Sequence, residues 1–246
     1  FLAQRVSSIN SISALCERTG ADINQVAEAI GTDKRIGSKF LKPGPGFGGS
    51  CFKKDILNLV YLCNHFGLPE VAKYWENVIS INNWQQERIS KIIVNKLFGT
   101  LTGKKIVILG FSFKANTNDT RESPAIAIAK DLLEEGANLI IHDPKVDKNQ
   151  IEIDLGIQEN SFKVKNDLPI NELIIERKWK FSNNIENALK DADAAVIITN
   201  WDEYKNLNWK KLYRVMRKPA WIFDTRSTIK NNDLDNIGIN IWQIGT

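Results

Sequence analysis

Apolar residues in the first hundred positions recur with the period of an α-helix. Leu2, Val6, Ile9, Ile12 and Leu15 predict a helix that starts at Phe1 and is closed by Gly20. The same criteria predict helices over 22–30, with Gly31 past the end, and over 51–66, closed by Gly67. A fourth helix of about thirty residues follows from Pro69 through Leu97, and an amphipathic helix of that length needs a surface to pack against. The first part of the chain is therefore predicted to be all-helical.

After a break at 99–103, short apolar strands alternate with helical segments. Apolar runs predict strands over 104–110, 138–144, 193–200, 220–225 and 239–245. Residues 123–136 predict a helix with Pro124 at its start and Gly136 at its end. Residues 147–184 are polar and irregular, and they support no assignment. The pattern predicts an α/β fold: a helical domain over 1–99, followed by a doubly wound parallel sheet over 100–246.

Composition narrows the possible functions by exclusion. The 246 residues are 43% hydrophobic and 25% charged, which is typical of a globular protein. The net charge of +4 is spread along the chain, so nucleic acid is not an expected partner. No apolar run approaches the roughly 20 residues of a membrane span, and the N-terminus does not resemble a signal peptide, so we expect a cytoplasmic protein. Three cysteines without C-x-x-C spacing and two histidines predict no metal site.

The stretch GPGFGGSCFKKD, residues 44–55, carries the strongest chemical signal. Its glycines allow positive φ angles and close approach of a ligand to the backbone. Ser50 is a suitable N-cap, which would place Cys51 in the first helical turn, where unpaired N–H groups favour a thiolate. Lys53 and Lys54 add positive charge, and Asp55 lies one turn further on. The alternative is a helix start whose cysteine only packs.

A second candidate lies after the first predicted strand. Gly110 is followed by FSFKANTNDTRES, which lacks the second and third glycines of the G-x-G-x-x-G dinucleotide fingerprint. Lys114, Asp119, Thr120 and Arg121 stand there instead, at the strand's carboxyl end, where ligands bind in open α/β sheets. Lysine and arginine would suit nucleotide phosphates. A solvated loop with ordinary charges is an equally good interpretation of these residues alone.

Several blocks together resemble one enzyme family. The blocks are FLAQRVSSINSISALCERTGADINQVAEAIG, RIGSKFLKPGPG, GFGGSCFKKD, GFSFKANTNDTRESPA and AWIFDTRS. Their order and spacing resemble the UDP-glucose/GDP-mannose dehydrogenase family, and its UDP-glucose branch most. The resemblance implies three parts: an NAD-binding Rossmann domain, a central helical dimerisation region and a C-terminal Rossmann-like UDP-binding domain. We expect the second and third parts here and the NAD-binding domain to be absent from this chain.

The resemblance also implies an activity. The family oxidises C6 of UDP-glucose twice with two NAD⁺ to give UDP-glucuronate, through a thiohemiacetal and a thioester on a cysteine that matches Cys51. Asp55 matches an aspartate that handles protons and water together with a lysine. Cys51, Lys54 and Arg121 are implied to face the cofactor NAD. The positions implied to bind UDP-glucose are Arg35, Phe40, Leu41, Lys42, Gly46, Phe47, Gly48, Phe113, Lys114 and Arg226.

Three further expectations depend on the resemblance. Arg35 matches an arginine that reaches the substrate of a neighbouring subunit, so a homo-oligomer is expected, a dimer or a hexamer. The family's lysine and an asparagine would lie upstream of Phe1, so this chain alone is expected to show no turnover. Lys53 and Thr225 depart from the usual glutamine and glycine, and Thr225 stands directly before Arg226.

Two alternatives remain open at the level of sequence. The chain could be a nucleotide-sugar-binding and dimerisation module without catalysis. It could also come from a sister enzyme that oxidises GDP-mannose or a UDP-N-acetyl sugar through the same cysteine.

Overall fold

Four helices form the first part of the molecule, as predicted. The computed structural model describes residues 1–159, 178–229 and 238–246. The helices are α1 (Leu2–Thr19), α2 (Ile23–Gly31), α3 (Phe52–His65) and α4 (Pro69–Lys96). Gly31, expected beyond the second helix, is its last residue. The start of α2 is fixed by Asp22, whose side chain accepts a hydrogen bond from the backbone N–H of Asn24.

The buried face of α1 is unusually polar. Ser7, Asn10 and Ser13 are buried, whereas Leu2 and Leu15, which contributed to the predicted apolar stripe, are exposed. The hydroxyl of Ser7 donates to the carbonyl of Val78 in α4 at 2.8 Å. Small and hydrogen-bonded side chains therefore carry the contact of α1 with α4, and this leaves Asn10 available for the neighbouring loop.

The second part is a parallel sheet, which confirms the predicted fold class. Its strands, in the order β3-β2-β1-β4-β5-β6, are all parallel, an order found in doubly wound nucleotide-binding folds. The strands are β1 (Lys105–Leu109), β2 (Asn138–His142), β3 (Lys178–Phe181), β4 (Ala194–Ile197), β5 (Trp221–Asp224) and β6 (Asn240–Gln243). The accompanying helices are α5 (Pro124–Glu134), α6 (Lys148–Leu155), α7 (Ile185–Leu189), α8 (Asp202–Lys205) and α9 (Trp209–Val215).

The unassigned stretch 147–184 contains two of these elements. Helix α6 lies at its start and edge strand β3 near its end, and the remainder, 160–177, is outside the described residues. Strand β3 has the sequence KWKF, so only Trp179 is fully buried in it. One apolar residue between two lysines gives too weak an alternation to predict a strand.

Helix α4 belongs to both parts of the molecule. Ile89, Ile93 and Leu97, near its end, are buried in the same cluster as Ile106 of β1 and Leu132 of α5. The proposed domain boundary near residue 99 therefore remains a prediction. None of the helices in the described part of the chain is long and apolar enough to cross a membrane.

Candidate active site

The glycine-rich loop before α3 is fastened to two helices by buried amide side chains. The backbone N–H of Gly44 donates to Asn10 Oδ1 at 2.9 Å, and its carbonyl accepts from Gln85 Nε2 at 2.9 Å. Asn82 binds both backbone groups of Phe47, at 2.7 and 3.2 Å. These bonds satisfy polar backbone groups that would otherwise be buried unpaired, so the loop is held in one conformation.

Close backbone contact joins this loop to the segment between β1 and α5. A methyl group on Gly48 would lie only 2.4 Å from the carbonyl oxygen of Glu122 and 2.9 Å from Cβ of Phe113. Gly49, with φ of 85°, donates its N–H to the carbonyl of Arg121 at 2.7 Å. The two motifs singled out in the sequence therefore meet, and glycine is required at Gly48 because no side chain fits there.

Cys51 is an exposed cysteine at the start of α3. The first helical hydrogen bond runs from the N–H of Asp55 to the carbonyl of Cys51 at 2.9 Å, so Cys51 is the N-cap and the predicted assignment of Ser50 as N-cap is wrong. Ser50 Oγ lies 3.6 Å from the Cys51 sulfur. The other two cysteines, Cys16 and Cys63, are buried. The Cys51 side chain makes no capping hydrogen bond to the first turn of α3, so its sulfur is exposed at the start of the helix.

Charged side chains of both signs lie near this cysteine in the sequence and in the β1–α5 segment. Arg121 forms an ion pair with Asp119 at 2.7 Å, and this pair, reinforced by attraction to Cys51, raises the pKa of the guanidinium. The same contact lowers the pKa of Asp119. Lys53 pairs with Glu122 at 2.7 Å and so ties the first turn of α3 to the β1–α5 segment. Lys54 and Asp55 are exposed on the same turn.

A cavity of about 560 Å³ opens beside the glycine loop. Among the predicted substrate-binding residues, its lining includes Phe40, Lys42, Gly46, Phe47, Gly48, Phe113 and Arg226. Phe52, the residue after Cys51, lines the cavity too, whereas Cys51 itself does not. Both parts of the molecule contribute walls, which brings together residues that are nearly two hundred positions apart.

Arg226 is the most perturbed charge on the cavity wall. Burial lowers the pKa of its guanidinium to about 10, against the opposing attraction of Asp224. Within the described residues, its side chain donates a hydrogen bond from Nε to the carbonyl of Ile198 at 2.7 Å. The Nη groups of a guanidinium pair readily with phosphate, and a desolvated cation with such groups at a cavity wall favours an anionic ligand.

The turn after β1 does not fit a dinucleotide. The backbone N–H groups of Phe111 and Ser112, which would face a pyrophosphate in a Rossmann fold, both donate to Asp143 Oδ2, at 2.7 and 3.0 Å. Asp143 follows β2, where such folds place the ribose-binding carboxylate, but its other oxygen accepts from Lys145 and Val146. The groups that would recognise NAD there are therefore satisfied internally.

The remaining predicted residues lie at the periphery. Leu41 is buried, and the Lys114 ammonium lies 5.2 Å from the centre of the Phe113 ring. Arg35 is held by Asp33 at 2.6 Å with 89% of its side chain exposed, and it does not line the cavity. In the part of the chain that the structure describes, no group of three or more His, Cys, Asp or Glu side chains could hold a metal ion.

Sequence reasoning missed the amides that fasten the glycine loop. Asn10, Asn82 and Gln85 occupy buried helical positions, and Asn82 and Gln85 fall in a gap of the α4 apolar stripe between Ile79 and Ile89. The signal available in the sequence was the presence of polar residues at positions where the helical period predicts apolar ones. Such residues need partners when buried, and here the partners are loop backbone groups.

A parallel sheet in nucleotide-binding order, a cavity with a half-buried arginine and a helix-start cysteine next in sequence to a cavity-lining residue are typical of an α/β protein that binds a nucleotide ligand, with a candidate nucleophile. Family profiles narrow the class. The UDP-glucose/GDP-mannose dehydrogenase family, central domain, matches residues 1–84, and the UDP binding domain of the same family matches residues 107–231. The chain therefore belongs to the UDP-glucose/GDP-mannose dehydrogenase family.

Individual relatives agree with this assignment. UDP-glucose 6-dehydrogenases of Gallus gallus and Drosophila melanogaster are 52% and 50% identical to the whole chain. The solved structure of a UDP-glucose dehydrogenase from the archaeon Pyrobaculum islandicum aligns over 100% of the chain with a TM-score of 0.78 and 28% identity. The chain spans about half the length of each of these proteins: 48%, 50% and 48%.

Proposed function

We propose that this chain supplies the nucleotide-sugar site and the reactive cysteine of an NAD-dependent dehydrogenase that oxidises UDP-glucose to UDP-glucuronate. The observation that carries the proposal is the half-buried Arg226 guanidinium on the wall of the 560 Å³ cavity, next to the loop that presents Cys51. Arg226 binds the diphosphate, and Lys42 on the same wall adds charge. Phe40, Phe47 and Phe113 give apolar surface for the base and sugar.

Cys51 is the nucleophile in this proposal. Its thiolate adds to the C6 aldehyde, a C–S bond forms, and the carbonyl oxygen takes up a proton to give a thiohemiacetal. Loss of a hydride and a proton gives a thioester. Water then attacks the acyl carbon, the C–S bond breaks, and the carboxylate leaves with the thiol regenerated. In this proposal Asp55, exposed one turn after Cys51, accepts the proton of that water.

NAD⁺ supplies the hydride acceptor for each of the two oxidations. In this proposal the contacts of this chain with it are Lys54, exposed in the first turn of α3, and Arg121, whose guanidinium is attracted by Cys51. Since the β1–α5 turn does not fit a dinucleotide, we expect the 246 residues by themselves to bind UDP-glucose without producing NADH. Steady NADH formation by the purified chain would contradict this expectation.

Titration calorimetry tests the nucleotide assignment directly. The chain should bind UDP and UDP-glucose more tightly than GDP-mannose, and Arg226→Ala should remove most of that affinity while leaving the circular dichroism spectrum unchanged. Lys54→Ala is a matched control, because it removes an exposed cation outside the cavity. Equal binding of UDP by the Arg226 variant would refute the role of that guanidinium, and preference for GDP-mannose would point to a sister enzyme.

The same proposal includes a homo-oligomer formed through the central helices. Tyr61 on α3 and Phe66 at its C-cap are 65% and 72% exposed, and Leu57 and Leu62 extend this apolar surface. An exposed Arg35 then reaches the site of a neighbouring subunit. Sedimentation analysis should show a dimer or larger assembly that dissociates in Tyr61→Glu/Phe66→Glu. A monomeric parent chain would exclude this part of the proposal.

A further inference from the structure

The side chains of Glu17, Arg88 and Gln85 connect the glycine loop with the residues that follow strand β6. Glu17 of α1 and Arg88 of α4 form a two-bond ion pair, at 2.7 and 3.2 Å, with only 12% and 13% of their side chains exposed. Arg88 Nε donates to Gln85 Oε1 at 3.1 Å, and Gln85 Nε2 donates to the carbonyl of Gly44 at 2.9 Å. At the other end, the N–H of Gly245, which follows β6, donates to Glu17 Oε1 at 2.9 Å.

The chemistry of these groups permits one arrangement. Arginine only donates hydrogen bonds and a backbone carbonyl only accepts them, so the Gln85 amide satisfies both neighbours in a single orientation. Gln85 is fully buried, so turning the amide would leave two polar groups without partners. The Glu17–Arg88 pair thereby fixes an amide that in turn fixes Gly44.

Gly44 lies directly against the guanidinium of Arg226. A methyl group on Gly44 would lie 2.8 Å from Arg226 Nη1 and 3.4 Å from its Cζ. From the sheet side, the same guanidinium is held by the carbonyl of Ile198 at 2.7 Å. The position of the cation is therefore set by two surfaces, one from each part of the molecule. The helical surface, Gly44, is held by Gln85 at its carbonyl and by Asn10 at its N–H.

We infer that Glu17, Arg88 and Gln85 form a positioning relay, which holds Gly44 against the Arg226 guanidinium and so sets the anion-binding wall of the cavity. These are positioning residues, because none of them lines the cavity. The relay deepens the proposed function, since the anion concerned is the diphosphate of UDP. The Gly245 contact makes it span both parts of the molecule.

Two variants interrupt the relay at different points. Gln85→Met keeps the volume and removes both amide bonds, and Arg88→Lys keeps the charge opposite Glu17 but removes the Nε donor. Ser7→Ala is the matched control, because Ser7 also makes a buried bond between α1 and α4, at 2.8 Å to Val78, and does not touch the loop. If Gln85→Met does not fold, Arg88→Lys carries the test.

Hydrogen exchange gives the readout that does not depend on a ligand. Exchange of the Gly44 amide and of the peptide containing Arg226 should accelerate at least tenfold in both relay variants and stay at the parent rate in Ser7→Ala. Unchanged exchange in the relay variants overturns the inference, whether or not UDP binds. Failure of the parent chain to bind UDP would instead overturn the proposed function, while exchange still decides the relay.

UDP titration then distinguishes an effect of Gln85 that acts through Arg226 from a general effect of Gln85 on the stability of the fold. We expect the dissociation constant for UDP to rise at least tenfold in Gln85→Met. In an Arg226→Lys background the same substitution should change it less than threefold, because the group through which Gln85 acts has been altered. A full tenfold effect in both backgrounds would show that Gln85 does not act through Arg226 and would overturn the inference.

Discussion

The contact between Gly48 and Glu122 leads to a prediction whose magnitude follows from the structure. In Gly48→Ala the new methyl group would lie 2.4 Å from the Glu122 carbonyl oxygen, and ordinary contact begins near 3.4 Å, so the backbones must separate by about 1 Å. Glu122 cannot easily yield. Its φ is already 53°, and Ser123, the next residue, is anchored to the carbonyl of Phe111 at 2.7 Å.

Overpacking of this kind costs about 1–3 kcal/mol. For a chain of this size, about 2 kcal/mol lowers Tm by roughly 4–8 °C. Because the displaced loop carries one wall of the cavity, we also expect at least tenfold weaker UDP binding. Calorimetric melting and UDP titration of the same protein measure both effects.

Gly20→Ala is the control for this prediction. Its methyl group would have no neighbour within 4 Å, but its φ of 75° imposes backbone strain of about 1–2 kcal/mol. It should lower Tm and leave UDP affinity unchanged. The reasoning is refuted if Gly48→Ala melts and binds UDP like the parent, or if Gly20→Ala weakens UDP binding equally.

Three further predictions concern single side chains. Iodoacetamide should label one thiol per native chain and none in Cys51→Ala, because the other cysteines are buried; mass spectrometry showing two or more rapid labels would contradict this. Arg226→Lys should weaken UDP binding by about tenfold or more in calorimetry, because lysine lacks the planar pair of donors, and an unchanged affinity would exclude two-point recognition. Burial lowers the pKa of His142, whose Nδ1 lies 2.9 Å from the hydroxyl of Tyr204. The unfolded state binds the proton first, so stability should fall as pH drops below about 6.5, the ordinary histidine value, and urea titrations of His142→Gln should show a flatter dependence. An equally steep decline in that variant would assign the effect to other groups.

The periodicity of the chain predicted most of the fold because long apolar patterns dominate it. The helices of the first part and five of the strands follow from such patterns. Strand β3 could not be found because its single buried residue, Trp179, lies between exposed or half-exposed lysines and gains its strand conformation from pairing with β2. Short helices such as α8 offer only one turn of pattern.

The candidate site was predictable only in part, for a different reason. The glycines and the cysteine of residues 44–55 are recognisable in one short stretch of sequence. The family resemblance suggested the other residues of the site. The amides of Asn82 and Gln85 receive their role from a loop almost forty residues earlier, and no local pattern carries that information. The N-cap was predicted one residue too early. Serine is the commoner N-cap residue, but the first helical hydrogen bond is accepted by the carbonyl of Cys51.

The continuity of α4 has a mechanical consequence. A helix of 28 residues is about 42 Å long, and it resists bending far more than a linker would. Its middle turns hold the glycine loop through Asn82 and Gln85, and its final turns are packed against the sheet that carries Arg226. The two walls of the cavity, the glycine loop and the sheet segment with Arg226, are therefore both packed against one continuous helix. We expect a ligand to be bound by side-chain adjustment and not by a hinge motion that closes one wall on the other.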